Sequence, residues 1–264
     1  MNEDDATKYV LDRTRSYEVD YLYKYREINS KGLESTITNG EIFFPDPTRF
    51  NDPFDCKPKV GVHNSEYKRN KYYKELIKSK RPHLTSHQIK KEIRSNPLIK
   101  KLRNAKYLDE LVLKLIKSYG IYCLTEVPDD ILMWSHYSAS HTGVCLQFNA
   151  KEELSVFWEA YMVTYQEKYP EVNVMEIGEY KQFFNLFATK SQHWEYERER
   201  RVIRDENDGG SKIYTFDTIL SPLVIIAFTP FISPCVACLI STSHGSPPMP
   251  ARSQCIGKLC PFGS

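Results

Sequence analysis

Neither a GxGxxG nor a Walker-type glycine loop occurs in the sequence, and no segment repeats another, so the usual phosphate-cradling loops and solenoid architectures are excluded. No apolar run follows the acidic start Met1-Asn2-Glu3-Asp4-Asp5, so no secretory leader is expected and a cytoplasmic location is. Acidic residues are missing altogether after Asp217, and from Thr218 to Ala251 there is no Asp, Glu, Lys or Arg. A membrane helix between Ile219 and Ile240 would fit by length. Pro222, Pro230 and Pro234 argue against it, because each removes a backbone donor, and no membrane partner is expected. Cys235, Cys238, Cys255 and Cys260 imitate a zinc site, but the second pair is spaced by four residues without a supporting pattern, so no metal is expected. Residues 231–264 read instead as an aberrant or disordered tail, of the kind that a shifted reading frame or a decayed terminus near Phe231 would leave.

What is present is ordinary in bulk and uneven in distribution. With 41% hydrophobic and 27% charged residues, the composition is that of a globular domain. The net charge of +2 conceals a division: 14 Lys or Arg stand against 3 Glu between Glu66 and Lys106, a surplus of eleven that the rest of the chain nearly cancels. A basic arm on an acidic body suits nucleic acid or an acidic partner, or is simply a solvated helical face. Cys56, Cys123 and Cys145 stand singly in regular segments, as buried reduced thiols do.

Periodicity places the elements. Asp20 to Arg26 alternates as a first strand. Leu33 to Asn39 is a short helix stopped by Gly40, and Glu41 to Phe44 a second strand. The loop Arg49-Phe50-Asn51-Asp52-Pro53-Phe54-Asp55 combines turn formers with two rings expected to be buried, Asn51 and Asp55 acting as loop staples. Helices fill the stretch from about 64 to 118, the last laying Leu108, Leu111, Val112 and Leu115 on the core. Ile121 to Leu124 is a strand, Pro128-Asp129-Asp130 opens a short helix, and Val144 to Phe148 is a strand again. Tyr161 to Tyr165 reads as a strand and Val174 to Thr189 as a helix. The strand reaching Arg204 is expected to form a hairpin with Lys212 to Phe216, and Leu223 to Phe228 is expected to be a buried central strand.

Chemistry is concentrated in two stretches. Leu132-Met133-Trp134-Ser135-His136-Tyr137, with His141 and Gly143, collects rings and imidazoles between two strands, where sites tend to be built. Trp194-Glu195-Tyr196-Glu197-Arg198-Glu199-Arg200-Arg201 reads as a strand whose alternation sends Glu195, Glu197 and Glu199 to one face. The two are expected to face each other across a cleft. Each residue has a plainer reading: Trp134 as a core anchor, His136 and His141 as backbone bridges, the glutamates as a solvated face paired with arginines.

Four fragments in this order, Leu22-Tyr23-Lys24-Tyr25-Arg26, Phe50 to Asp55, Leu132 to Gly143, and Trp194 with Tyr196, Glu197, Glu199 and Arg201, resemble the bacterial family designated domain of unknown function 2971. The likeness spans about Tyr21 to Phe228 and implies no activity. The arrangement is also similar to the ADP-ribosyltransferase fold, which places a basic residue on the first strand, an aromatic in the middle and a Glu-x-Glu strand late. Two features depart from that scheme: Arg26 sits beside Lys24 without a Ser-Thr-Ser strand, and Tyr137 falls on a predicted helix.

The resemblance implies an NAD-using enzyme of the toxin or phage-defence kind, with NAD as substrate and no tightly held cofactor. Glu199, Glu197, Tyr137 and His136 would be catalytic. Arg26 would pair with the pyrophosphate, and Tyr25, Trp134 and His141 would complete the NAD site. The alternatives from other classes are a nucleic-acid module acting through residues 66–106 and a non-catalytic interaction scaffold. The expected architecture is α+β: one domain over 20–230 with a mixed, mainly antiparallel sheet and a basic helical insertion, preceded by an extension over 1–19.

Overall fold

The computed structural model describes residues 19–62, 65–151 and 155–205, Lys8, Asp12, and the backbone of strands at 212–215, 224–227 and 240–241. The chain begins with β1 (Tyr21–Arg26), α1 (Leu33–Asn39), β2 (Glu41–Phe44), a 3-10 turn (Pro47–Arg49) and β3 (Lys59–Gly61). Four helices follow: α2 (Glu66–Lys80), α3 (Ser86–Ser95), α4 (Pro97–Lys101) and α5 (Ala105–Lys117). Then come β4 (Gly120–Thr125), α6 (Ile131–Tyr137), β5 (Val144–Asn149), β6 (Tyr161–Met162), β7 (Thr164–Gln166) and β8 (Glu171–Asn173). A 3-10 turn (Val174–Glu176), α7 (Tyr180–Phe187), β9 (Thr189–Ser191) and a 3-10 helix (Gln192–Glu197) lead into β10 (Glu199–Arg204). The last strands are β11 (Lys212–Thr215), β12 (Val224–Ala227) and β13 (Ile240–Ser241).

Seven strands form the main sheet in the order β13-β12-β5-β1-β4-β10-β6, every pairing antiparallel. Two small parallel pairs, β3 with β8 and β7 with β9, make the whole mixed but mainly antiparallel, the α+β class that the sequence indicates. Alternation puts Leu22, Tyr122, Leu124, Leu146, Phe148 and Val202 on one face, where Ile42, Phe44 and Phe157 cover them. The other face carries Ile121 and Ile203 against Val112 and Ile116 of α5 and Leu186 and Phe187 of α7. Burying each such side chain contributes about 1.5–3 kcal/mol.

Local signals hold where they are strong. Gly40 closes α1 in the left-handed region at φ 65°, and Asp130 caps α6 by accepting from the amides of Leu132 at 2.8 Å and Met133 at 2.9 Å. The apolar stripe of α5 centres on Leu108, Val112 and Ile116, with Leu111 and Leu115 at its margin. The basic helices do lie between two strands, as α2 to α5 between β3 and β4.

Long-range pairing corrects several expectations. Lys212–Thr215 does not form a hairpin with β10; it pairs with all four residues of β2 in a sheet of its own, while β10 pairs with β4 along its length and with β6 at Arg200 and Arg201. Tyr161 to Tyr165 divides into β6, which joins β10, and β7, which joins β9. The helix expected from Val174 shrinks to Tyr180–Phe187, and Thr189 already belongs to a strand. Phe54 is exposed, not buried. The strand near Leu223 is found at Val224–Ala227, between β5 and β13. The expected N-terminal extension and tail lie outside the described residues, apart from Lys8, Asp12, Val19 and the backbone of β13, as do the tail cysteines. Among the described residues no helix is long and apolar enough to cross a membrane.

Candidate functional site

The cavity that holds the predicted site residues exists because the main sheet splits. β1 pairs with β5 at all six of its positions but with β4 at one, Tyr23 opposite Thr125. Beyond that bridge the two strands part, and a cavity of about 450 Å³ opens between them. Lys24 spans the gap, its Nζ donating to the Cys123 carbonyl at 2.6 Å and lying 5.1 Å from the Tyr122 ring centre. Burial lowers the pKa of Lys24 to about 8.

A row of side chains crosses the sheet at the closed end of the split. Tyr23 lies opposite Thr125, and Thr125 opposite Glu199. Glu199 is buried and held on both oxygens: Arg201 Nε donates to Oε1 at 2.8 Å, and Arg201 Nη2 to Oε2 at 3.0 Å. The pair forms easily, since residues two apart on a strand share a face. Arg201, fully buried, also grips Asp55 through Nη1 to Oδ1 at 2.9 Å and Nη2 to Oδ2 at 2.6 Å. Lys190 on β9 adds a second cation, its Nζ 2.5 Å from Glu197 Oε2 and 3.2 Å from Glu199 Oε2. The other oxygen of Glu197 accepts from the Tyr137 hydroxyl at 2.6 Å.

Three buried carboxylates therefore face two buried cations, and the imbalance falls on Glu197. Burial, then the charge of Glu199, raises its pKa above the ordinary carboxylate range. Burial acts on Glu199 in the same direction, but Arg201 and Lys190 outweigh it and hold that carboxyl well below the range. Burial alone would lower the pKa of Lys190; Glu199, Glu197 and Asp55 push it up instead. The Tyr137 hydroxyl is raised by burial and by Glu197 beside it. Two glutamates two residues apart thus hold their protons very differently. Among the described residues no group of three or more His, Cys, Asp or Glu is arranged to hold a metal ion.

Of the sequence-predicted residues, Tyr25, Arg26, His136, Tyr137, Glu197 and Glu199 line this cavity. Trp134 and His141 are not among its lining residues. Trp134 is buried, packs edge-on against Tyr25 with ring centres 5.0 Å apart, and donates from Nε1 to the Pro128 carbonyl at 3.0 Å. His141 sits at φ 70° in the turn after α6, its amide donating to the Trp134 carbonyl at 3.1 Å. His136 is exposed at the rim, 6.5 Å from the Trp194 ring centre.

Two geometric expectations are corrected. Glu197 is not on a strand: it ends the 3-10 helix, Arg198 turns in the left-handed region at φ 41°, and only Glu199 begins β10. The reversal at Arg198, not strand alternation, brings the two carboxylates together, and Glu195 stays exposed. Arg26 lies on the opposite face of β1 from Tyr23, and so from the Glu199 row; it reaches the cavity only through the split.

Sequence reasoning assigned no role to Lys190, and it gave Asp55 only a turn. Asp52 and Asn51 do bind loop amides, Asp52 that of Phe54 at 2.9 Å and Asn51 that of Asp52 at 3.0 Å. Asp55 instead meets Arg201 from 146 residues away, and no local pattern foretells that. A lone Lys next to the aromatic helix was the only signal at position 190.

Residues 133–202 match the family model described as "Protein of unknown function (DUF2971)". The match takes in most of α6, Tyr137, Lys190, both glutamates and Arg201, and ends within β10; Arg26 and Asp55 lie outside it. No curated protein and no solved structure matches the chain.

Proposed function

We propose that the cavity binds a dinucleotide of the NAD type and cleaves the bond between its ribose and nicotinamide. The observation that carries this reading is Glu197, buried, raised in pKa and held between the Tyr137 hydroxyl and Lys190 on the wall of the cavity. Lys24, Arg26 and Arg49 supply positive charge to the same cavity. Arg26 stands three residues beyond Tyr23, about 10 Å along the strand, a separation suited to a ligand with phosphates at one end and a reacting sugar at the other.

In the step proposed, the C1′–N bond breaks and its electron pair leaves with neutral nicotinamide, while positive charge builds on the ribose. The Glu197 carboxylate, itself buried, stabilises that charge. As the oxygen of water or of an acceptor hydroxyl bonds to C1′, its proton passes to Glu197, a stronger base than an ordinary carboxylate. Glu199, its charge compensated by Arg201 and Lys190, positions Lys190 and keeps the pKa of Glu197 high. Tyr137 donates to Glu197 and fixes its orientation, and His136 stands at the entrance.

Nicotinamide release from NAD by the purified protein tests the reading. Glu197→Gln is expected to lower kcat on the order of 100-fold or more. Tyr137→Phe, which removes a hydrogen bond that holds the Glu197 pKa down, is expected to move the acid limb of the rate profile to higher pH. Absence of release by the unaltered protein, or equal release by Glu197→Gln, would overturn the assignment.

A further inference from the structure

The helical insertion carries a second concave surface that shares no lining residue with the cavity. In α3, His87, Lys90, Lys91 and Arg94 recur at i, i+3, i+4 and i+7, so four basic side chains stand on one helical face. With Ser95 and Lys100 they line a single depression, and all six are exposed. The opposite face of α3 fastens the helix down: Ile89 is buried with Tyr73, Ile77 and Ile99, and Ile93 packs beside them. The one acid of the helix, Glu92, is turned away from the basic face, 3.4 Å from Arg81 and accepting from Asn96 Nδ2 at 2.8 Å. Among the described residues, Lys90, Lys91, Arg94 and Lys100 have no carboxylate within ion-pair distance.

Lys100 also belongs to an adjoining depression with Lys101, Asn104, Lys106, Tyr107 and Glu110. Lys101 Nζ lies 5.9 Å from the Tyr107 ring centre, which leaves its charge at the surface. The two depressions make one track of basic groups across α3, α4 and the start of α5. The basic face of α3 alone runs about 10 Å, the length over which a duplex strand presents about three phosphates. A protein partner is a poorer fit, since the centre of a protein interface is apolar and poor in lysine, and the first depression has no apolar side chain in its lining.

We infer that this track binds the phosphate backbone of nucleic acid, holding the duplex by charge without reading its bases. Binding of this kind releases counterions, so it weakens steeply with salt and ignores sequence. It stands independently of any reaction in the cavity.

Fluorescence anisotropy of the full chain with two unrelated DNA duplexes, titrated between about 50 and 200 mM salt, tests it. Both duplexes are expected to bind alike, with log affinity falling linearly against log salt. The exposed triple variant Lys90→Glu, Lys91→Glu, Lys100→Glu is expected to bind at least ~10-fold more weakly at the lowest salt. It should also flatten the slope by about 2.7, at about 0.9 for each phosphate no longer neutralised. Circular dichroism confirms that the variant is folded. No binding at about 50 mM salt, a salt-independent affinity, or a folded variant that binds as the unaltered protein does would overturn the inference. So would displacement by polyglutamate as effective as by unlabelled DNA, which would give the face to an acidic protein.

Discussion

At the scale of single residues, the unequal protonation of Glu197 and Glu199 gives the protein a particular pH dependence. The folded pKa of Glu199 lies below the ordinary value of 4.5 and that of Glu197 above it. Just below pH 4.5 the unfolded chain holds more proton at position 199 than the native one, so stability rises as the pH climbs to that value. Above 4.5 the native chain holds more proton at position 197, so stability falls as the pH climbs on through the folded pKa. Glu197→Gln is expected to abolish the second effect and keep the first. Urea midpoints for both proteins from about pH 3 to pH 8 measure it, and parallel curves above 4.5 would show Glu197 titrating like a surface carboxylate.

At the scale of elements, the turn after α6 decides how β1 meets the cavity. Ala139, Ser140 and His141 take positive φ of 49°, 54° and 70° in succession, a conformation non-glycine residues avoid unless held there. What holds them is a set of bonds back into the helix, among them Gly143 N–H to the Ser138 carbonyl at 2.7 Å and His141 N–H to that of Trp134 at 3.1 Å. The turn delivers Gly143 against β1, where an added Cβ would stand 2.2 Å from the Arg26 carbonyl and 2.8 Å from Ser138 Cβ. Gly143→Ala therefore forces the turn or the Arg26 end of β1 to move. It is expected to cost about 2 kcal/mol, read as a lowered urea midpoint. An unchanged midpoint would mean that turn and strand separate freely.

At the scale of the whole molecule, α2, α3 and α4 of the insertion have a small core of their own, whereas α5 packs on the sheet. Tyr73, Ile77, Ile89 and Ile99 pack together, and the body reaches them through Met175, buried in the 3-10 turn before α7, and through Val62. A unit joined to the rest by so few apolar side chains is expected to open by itself. Met175→Ala, at a cost of about 3 kcal/mol, should hasten amide exchange in α2, α3 and α4 and leave β4 and β10 protected. Equal loss of protection in the sheet would make the insertion and body one cooperative unit.

The sequence by itself determined the elements whose causes are local. The helix of the Trp134 segment follows from the Asp130 cap, the end of α1 from Gly40, the basic insertion from its charge run, and the mainly antiparallel sheet from strands that alternate over short spans. It also brought Glu197, Glu199 and Tyr137 forward as one set, because unusual residues gathered in two short stretches. Only the tertiary structure decided that β1 and β4 part beyond one bridge, that Arg198 reverses the chain between the two glutamates, and that Lys190 and Asp55 complete the cluster. A cap or an alternating strand is written in neighbouring residues. The contest between two buried carboxylates is settled by charges that arrive from β9 and from a loop 146 residues upstream of Arg201, a distance over which no periodicity carries information.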